Sequence, residues 1–102
     1  MRSKVPSQIV VSLAVGLLSV SAFAYSGENL SKDAKISISE ARAIALKAHP
    51  GKVVDEELEK EKGGSGLRYS FDIRKGKVAQ EVGVDAKTEK VLENKPEGSH
   101  HD

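Results

Sequence analysis

The segment Leu67–Arg74 is the feature that most constrains the fold, because apolar and polar residues alternate strictly along it. In an extended strand this alternation places Leu67, Tyr69, Phe71 and Ile73 on one side and the polar residues on the other. Such a strand is stable only where its apolar side is covered by another layer of the protein. The segment therefore predicts a half-buried strand in a sheet with one packed face and one face in water.

Segments on both sides of Leu67–Arg74 provide neighbouring strands. Residues 52–62 begin with two valines, and alternation places Val54 and Leu58 on the same side. The charged residues of this segment suit a helix equally well by propensity, but the valines and the glycine-rich loop 63–66 favour a strand and a flexible hairpin loop. After a turn at Lys75-Gly76, a third strand carries a valine face: Val78, Val82 and Val84.

One amphipathic helix precedes the strands. Ser37-Ile38-Ser39-Glu40 has the spacing of a capping box, in which the serine accepts from a first-turn amide and the glutamate reaches back to the cap. The pattern predicts a helix over 38–48, ended by His49-Pro50-Gly51. At 100° per residue its apolar side consists of Ile38, Ala41, Ile44, Ala45 and Ala48.

The residues after the third strand predict a turn and a short closing segment. Asp85 begins the turn 85–88, where its carboxylate can accept from nearby amides. Val91-Leu92 forms an apolar pair that can fold back onto the sheet, and residues 93–102 are polar enough to predict a disordered tail.

The N-terminus has the three parts of a secretory signal peptide. Arg2 and Lys4 form a basic start, residues 9–20 are mostly apolar, and Ala22-Phe23-Ala24 is a small-residue cleavage site. The apolar stretch is about twelve residues, against roughly 20 for a spanning helix. We therefore expect cleavage after Ala24, export to the periplasm with secretion as the alternative, no membrane anchor, and a flexible leader over 25–35.

Composition excludes several classes of protein. The 102-residue chain contains no cysteine, so neither a disulfide nor a lipid-modified cysteine can form. Its formal net charge is +1 and its aromatic content is 4%, too little basic field and too few stacking rings for nucleic-acid binding. The sequence predicts partners that are proteins or peptides.

Together these elements predict one α+β domain over 36–92. An N-terminal amphipathic helix packs on a three-stranded antiparallel sheet, followed by a short C-terminal segment. The predicted core consists of Ile38, Ala41, Ile44, Ala45, Ala48, Val54, Leu58, Tyr69, Phe71, Ile73, Val82 and Val84.

The order of these motifs resembles the PepSY domain from Ile36 to Leu92. The resemblance rests on residues 37–41, the Pro-Gly-Lys-Val-Val run at 50–54, the Tyr-Phe-Ile strand, and the Val-Gly-Val-Asp-Ala-Lys-Thr run at 82–88. One departure is Glu89, where the family usually has glycine; if this position is left-handed, glutamate costs roughly 1 kcal/mol. The resemblance implies a role beside peptidases outside the cytoplasm, because PepSY domains occur in propeptides of thermolysin-like metallopeptidases and in cell-envelope proteins.

Catalysis, cofactor binding and metal binding find little support in the sequence. A hydrolase needs a nucleophile, a base and an orienting group, but the chain has no cysteine and no serine in an elbow motif. His49 suits a helix C-terminus better than a catalytic base. His100, His101 and Asp102, with Glu97, are a candidate metal-binding tail, against the alternative of a floppy polar tail.

The predicted sheet has edges that one helix cannot cover, and an exposed edge can pair with an extended peptide. The first hypothesis is therefore a non-catalytic PepSY module that binds a peptidase or another envelope protein through its sheet. The second is a self-associating accessory protein, because a domain of this size buries only about 60% of its unfolded surface and has no disulfide here. A metal-responsive protein that uses the histidine tail is the third.

Overall fold

The computed structural model describes residues 24–97. A 3₁₀ helix, Glu28–Asp33, is followed by the helix α1, Ile38–Ala48. The strands are β1, Lys52–Lys60; β2, Leu67–Lys75; β3, Val78–Asp85; and β4, Val91–Pro96. Neither helix in this part of the chain is long and apolar enough to cross a membrane.

The sheet has four strands in the order β1-β2-β3-β4, all antiparallel to their neighbours. The α+β class and the helix-on-sheet arrangement are confirmed, but the prediction of three strands was wrong. Residues 93–96, predicted to be disordered, pair with β3, and the amide of Glu97 donates to the carbonyl oxygen of Ala79. Backbone pairing along the edge of β3 does not require an apolar pattern, so this strand has only a weak signature in its side chains.

The helix α1 has the bounds that the sequence predicts. The Ser37 hydroxyl accepts from the amide of Glu40 at 3.1 Å, and the Ser37 amide donates to the Glu40 carboxylate at 2.8 Å, so the capping box is confirmed. Both bonds satisfy amides that a helix start leaves without an intrahelical partner.

Most of the predicted core lies between α1 and the sheet. The residues buried there are Ala41, Ala45, Leu58, Tyr69, Phe71, Ile73, Val82 and Val84, joined by Ile36, Leu67 and Ala86. Ile38 and Ile44 are partly buried against them. Ala48 was wrongly included: it is exposed, because it ends the helix and no further turn covers it.

Val54 is the other error in the predicted core, since it is 48% exposed. The register of β1 on β2 shifts between Val53 and Asp55, which is a β-bulge. The bulge changes the phase of the alternation, so Val53 packs on the core before it and Leu58 is buried after it. The predicted alternation, which placed Val54 on the same side as Leu58, therefore does not hold across the bulge.

The segment 25–35, predicted to be a flexible leader, is folded onto the domain. Ser26 forms a parallel bridge with Glu57, and its carbonyl oxygen accepts from the Leu58 amide at 2.8 Å. Gly27 has φ of 84°, and a Cβ at this position would overlap the Leu58 carbonyl oxygen. Glycine thus permits the close backbone approach that places this segment beside β1.

A fully buried carboxylate, Asp85, connects three parts of the chain. It accepts from the amide and hydroxyl of Ser65, both at 2.7 Å, and from the amides of Lys87 and Thr88 at 2.8 and 3.0 Å. The predicted turn role of Asp85 is confirmed, and the 63–66 loop is anchored rather than free. Burial alone would raise the pKa of Asp85, but these hydrogen bonds outweigh it and hold the pKa well below its usual range.

The next residue, Ala86, extends the same connection to the helix layer. Its amide donates to the Leu67 carbonyl oxygen at 2.9 Å. Its own carbonyl oxygen accepts from the amides of Lys35 and Ile36 at 2.8 and 3.3 Å. The turn after β3 therefore holds the chain that leads into α1.

The turn between β3 and β4 yields a stability prediction. Glu89 has φ of 72°, and it is the only non-glycine residue with positive φ in the described chain. A side chain in this conformation costs about 1 kcal/mol relative to glycine, so Glu89→Gly should raise the free energy of unfolding by about that amount. Urea denaturation measures the change.

A matched control lies in the same turn. Lys87 does not have positive φ, so Lys87→Gly should lower stability through the greater backbone freedom of glycine in the unfolded chain. Equal effects of the two glycine substitutions would contradict a left-handed origin of the strain.

Candidate functional site

An open groove of about 580 Å³ lies along the outer edge of β1. It is formed by the start of β1, the segment that precedes the 3₁₀ helix, and one side chain of α1. The lining residues are Ala24, Tyr25, Ser26, Arg42, Val53, Val54, Asp55 and Glu56. Because β1 is the first strand in the sheet order, this groove runs beside a sheet edge.

The two halves of β1 have different neighbours along this edge. Ser26 pairs with the second half of the strand, where the Leu58 amide points outwards to its carbonyl oxygen. Backbone groups alternate along a strand, so the amide of Glu56 points to the same edge as that of Leu58. The first half of β1 thus presents its edge to the groove, and Ser26 marks where the groove ends.

A bidentate ion pair forms the polar wall of the groove. Arg42 of α1 donates from Nε to Glu56 Oε1 at 2.9 Å and from Nη2 to Oε2 at 3.0 Å. The side chains of Arg42 and Glu56 are 24% and 15% exposed, and the hydrogen bond to Glu56 raises the pKa of Arg42. The pair ties the helix to the edge strand and fixes both charged groups in one geometry.

The apolar wall is formed by Tyr25, Val53 and Val54. The ring of Tyr25 lies 6.4 Å from that of Tyr69, at an interplanar angle of 57°, and Val53 packs on the core. The Tyr69 hydroxyl donates to the Ile36 carbonyl oxygen at 2.9 Å, and its burial raises the pKa of Tyr69 to about 12. Val54 takes part in none of these contacts, so its exposed side chain leaves an apolar surface available to a partner.

The opposite edge of the sheet, β4, is less suited to strand addition. Its last residue is Pro96, which has no backbone amide to donate, and proline of this kind is typical of protected edge strands. Lysine at position 95 and the exposed polar residue Asn94 also belong to this strand. The groove beside β1 is therefore the better candidate site.

The structure separates the acidic residues that are adjacent in sequence. Glu56 lies opposite Phe71, on the packed side of the sheet, where Arg42 reaches it. Asp55 and Glu57 alternate with it and point to the other face. The sequence provides no signal for the Arg42–Glu56 pair, because fourteen positions separate the two residues.

Of the other candidate site residues, only His49 and Glu97 lie in the part of the chain that the structure describes. His100, His101 and Asp102 lie outside the described residues, and residues 24–97 contain no group of three or more His, Cys, Asp or Glu side chains arranged so that they could hold a metal ion. His49 is the C-cap of α1, and its Nε2 atom is buried without a hydrogen-bond partner in the described chain.

These features define a class: a small module with one helix on an antiparallel sheet and a groove at the sheet edge. A family model, the peptidase propeptide and YPEB domain, matches residues 35–95, which is more than half of the chain. The chain belongs to the PepSY family. The match ends within β4, so the family domain includes the fourth strand.

Searches of curated proteins and of solved structures find no significant match to the chain.

The ion pair that walls the groove leads to a prediction. Arg42→Lys keeps the charge but cannot make two parallel bonds to Glu56, so it should lower the free energy of unfolding by about 0.5–1 kcal/mol at this partly buried site. Arg74→Lys is the matched control, because Arg74 is exposed at the end of β2. Denaturation curves compare the two variants, and equal small effects would show that the bidentate geometry contributes nothing.

Proposed function

We propose that this protein is a non-catalytic, extracytoplasmic PepSY module that binds an extended segment of another protein at the outer edge of β1. A peptidase is the leading candidate for that partner. The single observation that carries the proposal is the groove in which the first half of the edge strand lies between an apolar wall and a fixed ion pair.

Strand addition fits the physical properties of this edge. A partner strand gains main-chain hydrogen bonds along the first half of β1 and needs no special side-chain motif for them. Specificity then comes from pockets for alternate side chains, and here the apolar position lies beside Val54 and Tyr25. A partner with an apolar side chain at that position should bind best.

The family supports a peptidase as the partner and a role without catalysis. The matching domain is described by its occurrence in peptidase propeptides, which are segments that contact a peptidase without cleaving substrates themselves. A signal peptide over 1–24 would take the module to the compartment in which such peptidases act. The residues from Tyr25 onwards, beside the groove, would then form the new N-terminus.

Self-association is the second candidate, and the same edge favours it. Val54 remains 48% exposed at a sheet edge, and two copies could pair their β1 strands there. Light scattering across a concentration series separates the two cases. A strictly monomeric protein at high concentration excludes this alternative.

The binding proposal is tested by titrating extracytoplasmic peptidases, including a thermolysin-like enzyme, with the purified exported protein. We expect saturable inhibition without cleavage of the module. Val54→Lys should weaken inhibition about tenfold or more, because a charge replaces the apolar contact in the groove. The measurement is residual peptidase activity against module concentration.

Val78→Lys is the matched control, because Val78 is 53% exposed and lies at the start of β3, away from the groove. It should inhibit as the unmodified protein does. No inhibition at high excess of the unmodified protein would overturn the peptidase proposal, and equal weakening by both variants would overturn the assignment to the β1 edge.

A further inference from the structure

The face of the sheet opposite α1 carries a row of like charges. In the registers of the sheet, Asp55 of β1 lies opposite Asp72 of β2, and Asp72 lies opposite Glu81 of β3. These three residues, here called the carboxylate row, share one face because directly paired residues point to the same side. Like charges directly opposite one another destabilise a sheet.

Further acidic groups surround the carboxylate row. Glu57 is two residues from Asp55 on β1, Glu93 lies on β4 opposite Gly83, and Glu97 follows β4. Glu59 of β1 and Glu61, which follows the strand, add to the negative charge near Glu57. Further carboxylates therefore flank the row on the β1 side and on the β4 side of the sheet.

The basic groups on this face are largely engaged elsewhere. Lys95 lies opposite Glu81 but forms an ion pair with Glu93 at 2.9 Å. Arg68 pairs with Glu93 at 3.0 Å and with Glu61 at 3.5 Å. Arg74 and Lys52 face each other at the next position beyond the row, where both are exposed. No cation is inserted between Asp55, Asp72 and Glu81 within the described chain.

We propose that the carboxylate row makes the folded domain more stable in mildly acidic surroundings than at neutral pH. Folding brings the three carboxylates together, whereas the unfolded chain separates them. Protonation of Asp72 and Glu81 removes a repulsion that exists only in the folded state, so acid favours folding. The device belongs to the open face and shares only Asp55 with the groove on β1.

The directions in which the pKa values of Asp72, Glu81 and Glu57 shift agree with the geometry. Burial, then the charge of Glu97 and that of Asp55, raise the pKa of Asp72 above its usual value of 3.8. The pKa of Glu81 is raised above its usual value of 4.5, first by burial and then by the negative charges of Glu93, Asp72 and Glu97. The positive charge of Lys95 acts in the opposite direction. Burial and the charges of Glu59, Asp55, Asp72 and Glu61 raise the pKa of Glu57 in the same direction.

The sign of the effect follows from linkage. A carboxyl whose pKa is raised on folding binds its proton more tightly in the folded state. Its protonation therefore stabilises the fold fully below the unfolded pKa, and this stabilisation is lost as pH rises through the folded pKa. Asp85 acts in the opposite sense, because its folded pKa is lowered, and its stabilisation is lost as pH falls below about 3.8. Stability should therefore be greatest in a mildly acidic window between these limits.

The experiment is urea denaturation of the exported protein at pH 5.0 and at pH 7.5. The unmodified protein should have a higher urea midpoint at pH 5.0. The double variant Asp72→Asn/Glu81→Gln should have a raised midpoint at pH 7.5 and a much smaller difference between the two pH values. The histidines are common to both proteins, so the comparison between proteins removes their contribution.

Two further variants make the result decisive. Glu28→Gln/Asp33→Asn removes two exposed carboxylates of the 3₁₀ helix and should keep the full pH difference. Asp55→Asn, at the other end of the row, should reduce the difference even if the double variant does not fold. A midpoint that is no higher at pH 5.0 in the unmodified protein, or a full pH difference in both row variants, overturns the proposal.

Discussion

The buried carboxylate of Asp85 is the interaction on which the rest of the structure depends. It receives four hydrogen bonds from the β1–β2 loop and from the turn after β3. The neighbouring residue Ala86 bonds the start of β2 and the chain that enters α1. In a domain without disulfides and with a small core, this connection supplements the packing of the glycine-rich loop and of the helix, and the Arg42–Glu56 pair that also joins the helix to the sheet.

The sheet uses its faces and edges for different purposes. One face packs on α1 through the aromatic and valine positions, whereas the other face carries a row of carboxylates that are exposed or partly buried. At the β4 edge, proline and polar residues discourage pairing, but the first half of β1 borders a groove. We propose that this asymmetry gives the domain one side for an extended partner and another that responds to pH.

Local patterns in the sequence predict much of this fold. The alternation at Leu67–Arg74 predicts β2, the capping box predicts α1, and Asp85 predicts its own turn. Errors arise where distant parts of the chain decide the outcome. The bulge at Val54 reverses an alternation, and Gly27 lets the leader approach β1. The edge-strand groove depends on the Arg42–Glu56 pair, which no local pattern reveals.

Native-state hydrogen exchange tests the central role of Asp85 most directly. The amides of Ser65, Lys87 and Thr88 belong to exposed loop residues, yet each donates to the buried carboxylate. We predict that all three exchange as slowly as the amides of the central strands, because they open only when the whole domain unfolds. Rapid exchange of these amides while β2 and β3 remain protected would contradict the account, since the loop and turn would then open without breaking the fold.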